Sequence, residues 1–168
     1  IGSSGKAVIT TALNLSEPMM PQGGPKQVLI FGTGAYVGVV TAFFKRTEAG
    51  DIAVYSGSGR AEMLAETHSV RAVTNQDIVA ELSRADIVIS ASGSMGHLLD
   101  EALVSEALEL RNGEHDLVIV DVALSKDVAP AVHELAGCFV LDLERLKELT
   151  PEEHSISIDI AREIVKAA

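Results

Sequence analysis

The chain has 168 residues and a mass of 17.7 kDa, with 47% hydrophobic residues, 14 glycines and few aromatics, which suits one α/β domain with a sizeable core. A net charge of −11 and a pI near 4.8 argue against a nucleic-acid groove, which would need clustered Lys and Arg. One cysteine excludes an internal disulfide, and no apolar run approaches the roughly 18 residues of a membrane span, so a soluble, cytoplasmic protein without membrane contact is expected.

Taken in order, Lys6 to Leu15 carries Ala7, Ile9, Ala12, Leu13 and Leu15 in a pattern that predicts a short helix. Ser16 to Pro25 holds three prolines and two glycines and reads as a linker, so residues 1–26 are set apart as helix and linker. The absence of Met at position 1 suggests a piece of a longer protein.

The central stretch is QVLIFGTGAYVGVVT, Gln27 to Thr41. Four apolar residues run into Gly32-Thr33-Gly34, after which the apolar spacing changes from strand-like to helical at Tyr36. In a strand, turn and helix of this kind Gly32 permits the turn and Gly34 admits a pyrophosphate. The free amides over Ala35, Tyr36 and Val37 hold the anion. Val37 replaces the third glycine of G-x-G-x-x-G and Gly38 follows it. The predicted helix runs on to about Gly50, and Asp51 to Tyr55 is the second strand. An NAD-preferring fold usually places Asp or Glu at that strand's end to bind the ribose 2′-hydroxyl. Here Ser56, Ser58 and Arg60 follow, interleaved with Gly57 and Gly59, a set that suits the 2′-phosphate of NADPH. The alternative is a plain glycine turn with Arg60 in solvent.

Further helices are predicted from Arg60 to His68, after a capping-box pattern at Thr74 to Asp77, and from Asp100 to Leu110. Strands are predicted at Val70 to Val73, Asp86 to Ser90, Leu117 to Asp121 and Cys138 to Leu141. Six strands alternating with helices give an α/β fold, a doubly wound parallel sheet ordered 3-2-1-4-5-6, spanning residues 27–150. Ser90, Ala91, Ser92 and Gly93 then lie at the crevice beside the ribose and nicotinamide, and Asp121 faces the same edge. Thr150 to Glu153 pairs an N-cap with proline and acid, opening a connecting helix over 151–168 whose stripe holds Ile156, Ile160 and Ile164.

No metal-ligand spacing, nucleophile elbow or catalytic pair is present. His97 is the histidine best placed near the crevice, and Cys138 reads as a buried structural thiol.

Several segments together resemble glutamyl-tRNA reductase. These are IGSSGKAVITTALNL at Ile1 to Leu15, VLIFGTG at Val28 to Gly34 and ADIVISASG at Ala85 to Gly93. DLVIVDVALSKDVAPAV at Asp116 to Val132 and VLDLERL at Val140 to Leu146 complete the set. Departures are Val37, Ser56-Gly57 in place of an asparagine-arginine pair, Lys126 in place of arginine, and His97 one position out of register. The resemblance implies an NADPH-dependent oxidoreductase of tetrapyrrole (porphyrin) biosynthesis that converts glutamyl-tRNA to glutamate 1-semialdehyde. It implies a cysteine thioester on a separate N-terminal domain, glutamyl-tRNA bound through other domains, and a C-terminal domain that makes the full-length protein a homodimer. This chain is then the cofactor domain, with no catalytic residue of its own, and is inactive alone. Two alternatives are the cofactor domain of a shikimate- or methylene-folate-type dehydrogenase and a non-enzymatic NADP-sensing module.

Overall fold

The computed structural model describes residues 2–149 apart from 33, 48, 93–95 and 114. The expected cap at Thr150 and the connecting helix over 151–168 lie outside the described residues.

Strands β1 (Lys26–Phe31), β2 (Ala49–Tyr55), β3 (Arg71–Val73), β4 (Ile87–Ser90), β5 (Leu117–Asp121) and β6 (Cys138–Asp142) form one sheet. All pairings are parallel and the order is β3-β2-β1-β4-β5-β6, the doubly wound arrangement predicted. The period of two in each strand sends alternate side chains into two cores. Val28 and Ile30 join Ile87, Ile89, Val118 and Val120 on one face, whereas Leu29 and Phe31 join Val88, Leu117 and Ile119 on the other.

Helices α1 (Gly2–Ser16), α2 (Ala35–Arg46) and α6 (Leu143–Leu149) cover the first face, and α4 (Ile78–Arg84) and α5 (Glu101–Leu110) the second. Helix α3 (Ala61–His68) contributes Leu64 to the first face. From α1, Val8, Ile9 and Ala12 enter the same core as the β1 side chains. The segment read as a linker holds a short 3-10 turn at Glu17–Met19, and Met20 just after it is buried in that core too. Buried hydroxyls in the helices are satisfied locally: Ser16 Oγ donates to the Ala12 carbonyl and Thr41 Oγ1 to the Val37 carbonyl, each at 2.7 Å.

Two boundaries differ from the sequence reading. Helix α2 stops at Arg46, with Thr47 as its C-cap, and Gly50 already belongs to β2. A Cβ on Gly50 would lie 2.8 Å from Pro25 Cβ, so this glycine serves close packing against the chain entering β1 and does not end a helix. The expected capping box does not form, because Asp77 is the N-cap of α4 and makes no side-chain cap bond. Instead Thr74 Oγ1 donates to Asp77 Oδ2 at 3.1 Å, and the Asp77 amide donates to the Thr74 carbonyl, closing a turn. Asp100, in contrast, caps α5 as expected, accepting from the Leu103 amide at 2.8 Å.

Candidate nucleotide-binding site

The strand order reverses direction between β1 and β4, which opens a crevice above their C-terminal ends. The hydrogen-bond ladder continues one step past the strands there. Gly32 N donates to Tyr55 O (3.1 Å), Ala91 N to Phe31 O (2.8 Å) and Val122 N to Ser90 O (2.9 Å). Gly32 belongs to this ladder through close approach: a Cβ built on it would stand 2.8 Å from the Ala91 carbonyl oxygen.

Gly34 is the N-cap of α2 with φ −94°, a torsion open to any residue, so its missing side chain provides space over the helix mouth. No side chain caps the first turn of α2, but the Val37 amide, expected to be free, donates to the Gly34 carbonyl at 3.1 Å, so only the Ala35 and Tyr36 amides are left to an outside acceptor. Gly34 is half-buried and Ala35 exposed, whereas the Tyr36 and Val37 side chains point into the core. Neither Tyr36 nor Val37 therefore offers its side chain to solvent above the turn. The Tyr36 hydroxyl is buried with no hydrogen-bond partner among the described residues, and burial pushes its pKa well above the usual phenol range. Thr33 and Gly93 lie outside the described residues.

At the end of β2, Ser56 is buried and Ser58 and Arg60 are exposed. The two serine hydroxyls are hydrogen-bonded at 2.9 Å, and Ser58 N donates to Ser56 Oγ at 3.3 Å. Gly59, at φ +79°, lets the chain turn back so that its amide reaches the Ser56 carbonyl at 3.3 Å. Arg60 makes no ion pair among the described residues. Tyr55, which precedes this turn, packs on Phe31 with ring centroids 4.9 Å apart and donates to Asn75 Oδ1 at 2.7 Å.

Across the crevice, Ser90, Ser92 and Asp121 do not stand alone. A residue the sequence reading did not single out, Asp127, is fully buried between them. Its Oδ2 accepts from Ser90 Oγ (2.5 Å) and Ser92 N (2.9 Å), and its Oδ1 accepts from Ser92 Oγ. Asp121 turns its carboxylate onto its own loop, accepting from the Ala123 and Val128 amides, each at 3.0 Å. Burial raises the Asp121 pKa to about 6 against the two amide bonds, with a further push from Asp127. The sequence signal for Asp127 was its place in the Lys-Asp pair of the loop, visible only through the family resemblance.

His97 reaches the same loop at 3.0 Å from Nδ1 to the Lys126 carbonyl, and is exposed. Lys126 holds a left-handed φ of 55° and its Nζ lies 3.3 Å from Glu144 Oε2. Cys138 is partly buried, and desolvation raises its thiol to about 12, which leaves it protonated and a poor nucleophile. Among the described residues no cluster of His, Cys, Asp and Glu could hold a metal ion, and no helix is long and apolar enough to cross a membrane.

Comparison with known proteins then decides the family. The family model described as Shikimate / quinate 5-dehydrogenase matches residues 14–149. The chain belongs to that family. The shikimate / quinate 5-dehydrogenase match covers the whole sheet and the crevice residues described above. The likeness to glutamyl-tRNA reductase is equally plain along the chain. The glutamyl-tRNA reductase of Kocuria rhizophila is 34% identical over all of this chain, and that of Pseudarthrobacter chlorophenolicus 35%. The chain spans 37% and 38% of the length of those two oxidoreductases. Among solved structures, glutamyl-tRNA reductase from Methanopyrus kandleri superposes with a TM-score of 0.75 at 23% identity, over 95% of this chain and 43% of that one. Shikimate 5-dehydrogenase from Thermus thermophilus, in complex with NADP(H) and shikimate, gives a TM-score of 0.58 at 17% identity, over 96% and 62%. Both structures share the Rossmann-type fold with this chain.

Proposed function

We propose that this chain is the NADPH-binding domain of a glutamyl-tRNA reductase, and that the turn at Gly32 and Gly34 and the amides of Ala35 and Tyr36 hold the cofactor's diphosphate. The observation that carries the reading is the end of β2. The Ser56 and Ser58 hydroxyls and the Arg60 guanidinium, which has no acid partner among the described residues, follow the strand where a ribose-reading carboxylate is usual, and this supports the reading. A guanidinium and two hydroxyls complement a phosphate dianion and offer nothing that selects a free 2′-hydroxyl. The residues present fit the cofactor in two further respects: the first turn of α2 is uncapped, and side chains are absent at 32 and 34. When bound, the dihydronicotinamide supplies a hydride; this chain's residues bind and orient the dinucleotide and supply no nucleophile.

The substrate of the whole protein is proposed as glutamyl-tRNA, presented as a cysteine thioester on another domain, with a homodimer formed through a further domain. The relatives that match this chain from end to end carry the reductase name and are more than twice its length, which supports that division of labour. A dehydrogenase of the shikimate type is the second reading, favoured by the description of the matching family.

Titration calorimetry of the 168-residue chain tests the cofactor. NADPH is expected to bind at least tenfold more tightly than NADH, and Arg60→Ala to lower NADPH affinity about tenfold while leaving NADH unchanged. Equal affinities for the two cofactors would remove the argument.

A further inference from the structure

At the sheet edge opposite the crevice, α5 ends with the Arg111 amide reaching back to the Ala107 and Leu108 carbonyls, each at 3.2 Å. The Arg111 side chain then ties down the chain that follows. Its Nε donates to the His115 carbonyl (3.1 Å) and its Nη2 to the Asp116 carbonyl (3.3 Å), while Nη1 donates to the carbonyls of Ser83 (3.1 Å) and Ala85 around the end of α4. One guanidinium thus closes the loop between α5 and β5 at both ends. Between those ends lie Asn112 and Gly113, both exposed. Neither the Asn112 carboxamide nor the Gly113 amide has a hydrogen-bond partner among the described residues. Gly113 holds φ +76°, and a Cβ built on it would meet nothing within 4 Å, so its nitrogen is unshielded.

We infer that Asn112 is a modification site, one that deamidates spontaneously through an imide with Gly113. The Gly113 nitrogen attacks Asn112 Cγ. The N–Cγ bond forms, the Cγ–Nδ2 bond breaks, and ammonia leaves with the proton that the Gly113 nitrogen gives up. Water then opens the five-membered imide without any oxidation or reduction. Addition at Cγ yields aspartate, and addition at the former Asn112 carbonyl carbon yields an isoaspartyl linkage whose chain runs through Cβ and Cγ. Either product puts a carboxylate next to Arg111, which makes no ion pair among the described residues. The isoaspartyl product also adds a methylene to the loop that Arg111 closes.

The other asparagines supply internal controls. Asn75 accepts from the Tyr55 hydroxyl at 2.7 Å and precedes Gln76, whose Cβ crowds the next nitrogen; Asn14 lies inside α1 and precedes Leu15. The inference is independent of the cofactor reading.

The experiment keeps the full chain in mildly alkaline buffer enriched in heavy-oxygen water and maps its peptides by mass spectrometry. The Asn112 peptide is expected to take up a single heavy oxygen and to divide into aspartyl and isoaspartyl forms. Its rate in the folded chain should lie within about threefold of the rate in urea, because no hydrogen bond has to open first, and the Asn14 and Asn75 peptides should react at least about tenfold more slowly. Gly113→Ala should slow Asn112 at least about tenfold, since its Cβ crowds the attacking nitrogen. If that variant fails to fold, both chains are compared in urea, where the same gap is expected. Aspartate formed without isoaspartate, a folded rate more than about tenfold below the unfolded one, or undiminished reaction in Gly113→Ala would overturn the inference.

Discussion

The two edges of the sheet handle buried carboxylates in opposite ways. At the N-terminal edge Glu81 is almost fully buried yet surrounded by cations: Arg71 bonds both of its oxygens, at 2.7 and 2.8 Å, and Arg84 joins it. Arg71 in turn reaches Asp51 at 2.5 Å, so β2, β3 and α4 are held by paired charge. At the C-terminal edge Asp121 and Asp127 are buried just as deeply, but only amides and serine hydroxyls serve them. Amides and hydroxyls set direction there without adding net charge. One edge is fastened, and the other is shaped to receive something.

The largest effects should come from the glycines of the receiving edge. Gly34→Trp is expected to abolish NADPH binding, by more than about a hundredfold, with cooperative unfolding retained. Gly32→Val should lose binding and also about 3 kcal/mol of stability in urea denaturation, because its Cβ would meet the Ala91 carbonyl. A Gly34→Trp protein that still binds would place the phosphates elsewhere.

Next come the two carboxylates. Asp127→Ala removes the acceptor of three hydrogen bonds in a buried cluster and should cost about 3 kcal/mol. Glu81→Ala should cost about 1 kcal/mol, since Arg71 is 45% exposed and regains hydration. Repeating the denaturation in 1 M salt should shrink the Glu81 loss and leave the Asp127 loss as it was. Equal salt responses would erase the distinction between the edges.

The smallest effect is in pH, and the signs differ. Asp121 has a folded pKa of about 6 against an ordinary 3.8, so the folded state holds the proton more tightly. Stability from this group therefore declines as pH rises from about 4 to 6, on the order of 2 kcal/mol. Glu81 is held below its ordinary 4.5, chiefly by its hydrogen bonds from Arg71, so its contribution is present above that value and is lost as pH falls below it. Asp121→Asn should flatten the decline between pH 4 and 6 in chemical denaturation. A decline that persists in Asp121→Asn would assign it to another group.

The alternation of apolar strands with helical periods was enough to read the six-stranded order, because Leu117 to Asp121 and Asp86 to Ser90 have almost no polar interruption. Boundaries were harder where one residue type serves two purposes. Gly50 looked like a helix stop and is a packing glycine, and Thr74 to Asp77 carried a cap pattern that closed on itself as a turn. Within the candidate site, Gly32 was legible as a turn glycine although its structural task is to admit the Ala91 carbonyl. Asp127 was not legible, since its partners Ser90 and Ser92 are more than thirty positions away and local spacing carries no trace of them. The integration of α1 into the core was hidden for the same reason: a helix's own stripe does not name the face it covers.

The bonds from Gly32 to Tyr55, Ala91 to Phe31 and Val122 to Ser90 make the first residue of each crevice loop a continuation of the sheet. At these three points the root of a loop cannot lift without breaking a rung of the ladder. Displacing any of these three residues therefore carries the cost of a sheet hydrogen bond, which ties the roots of the loops to the strands.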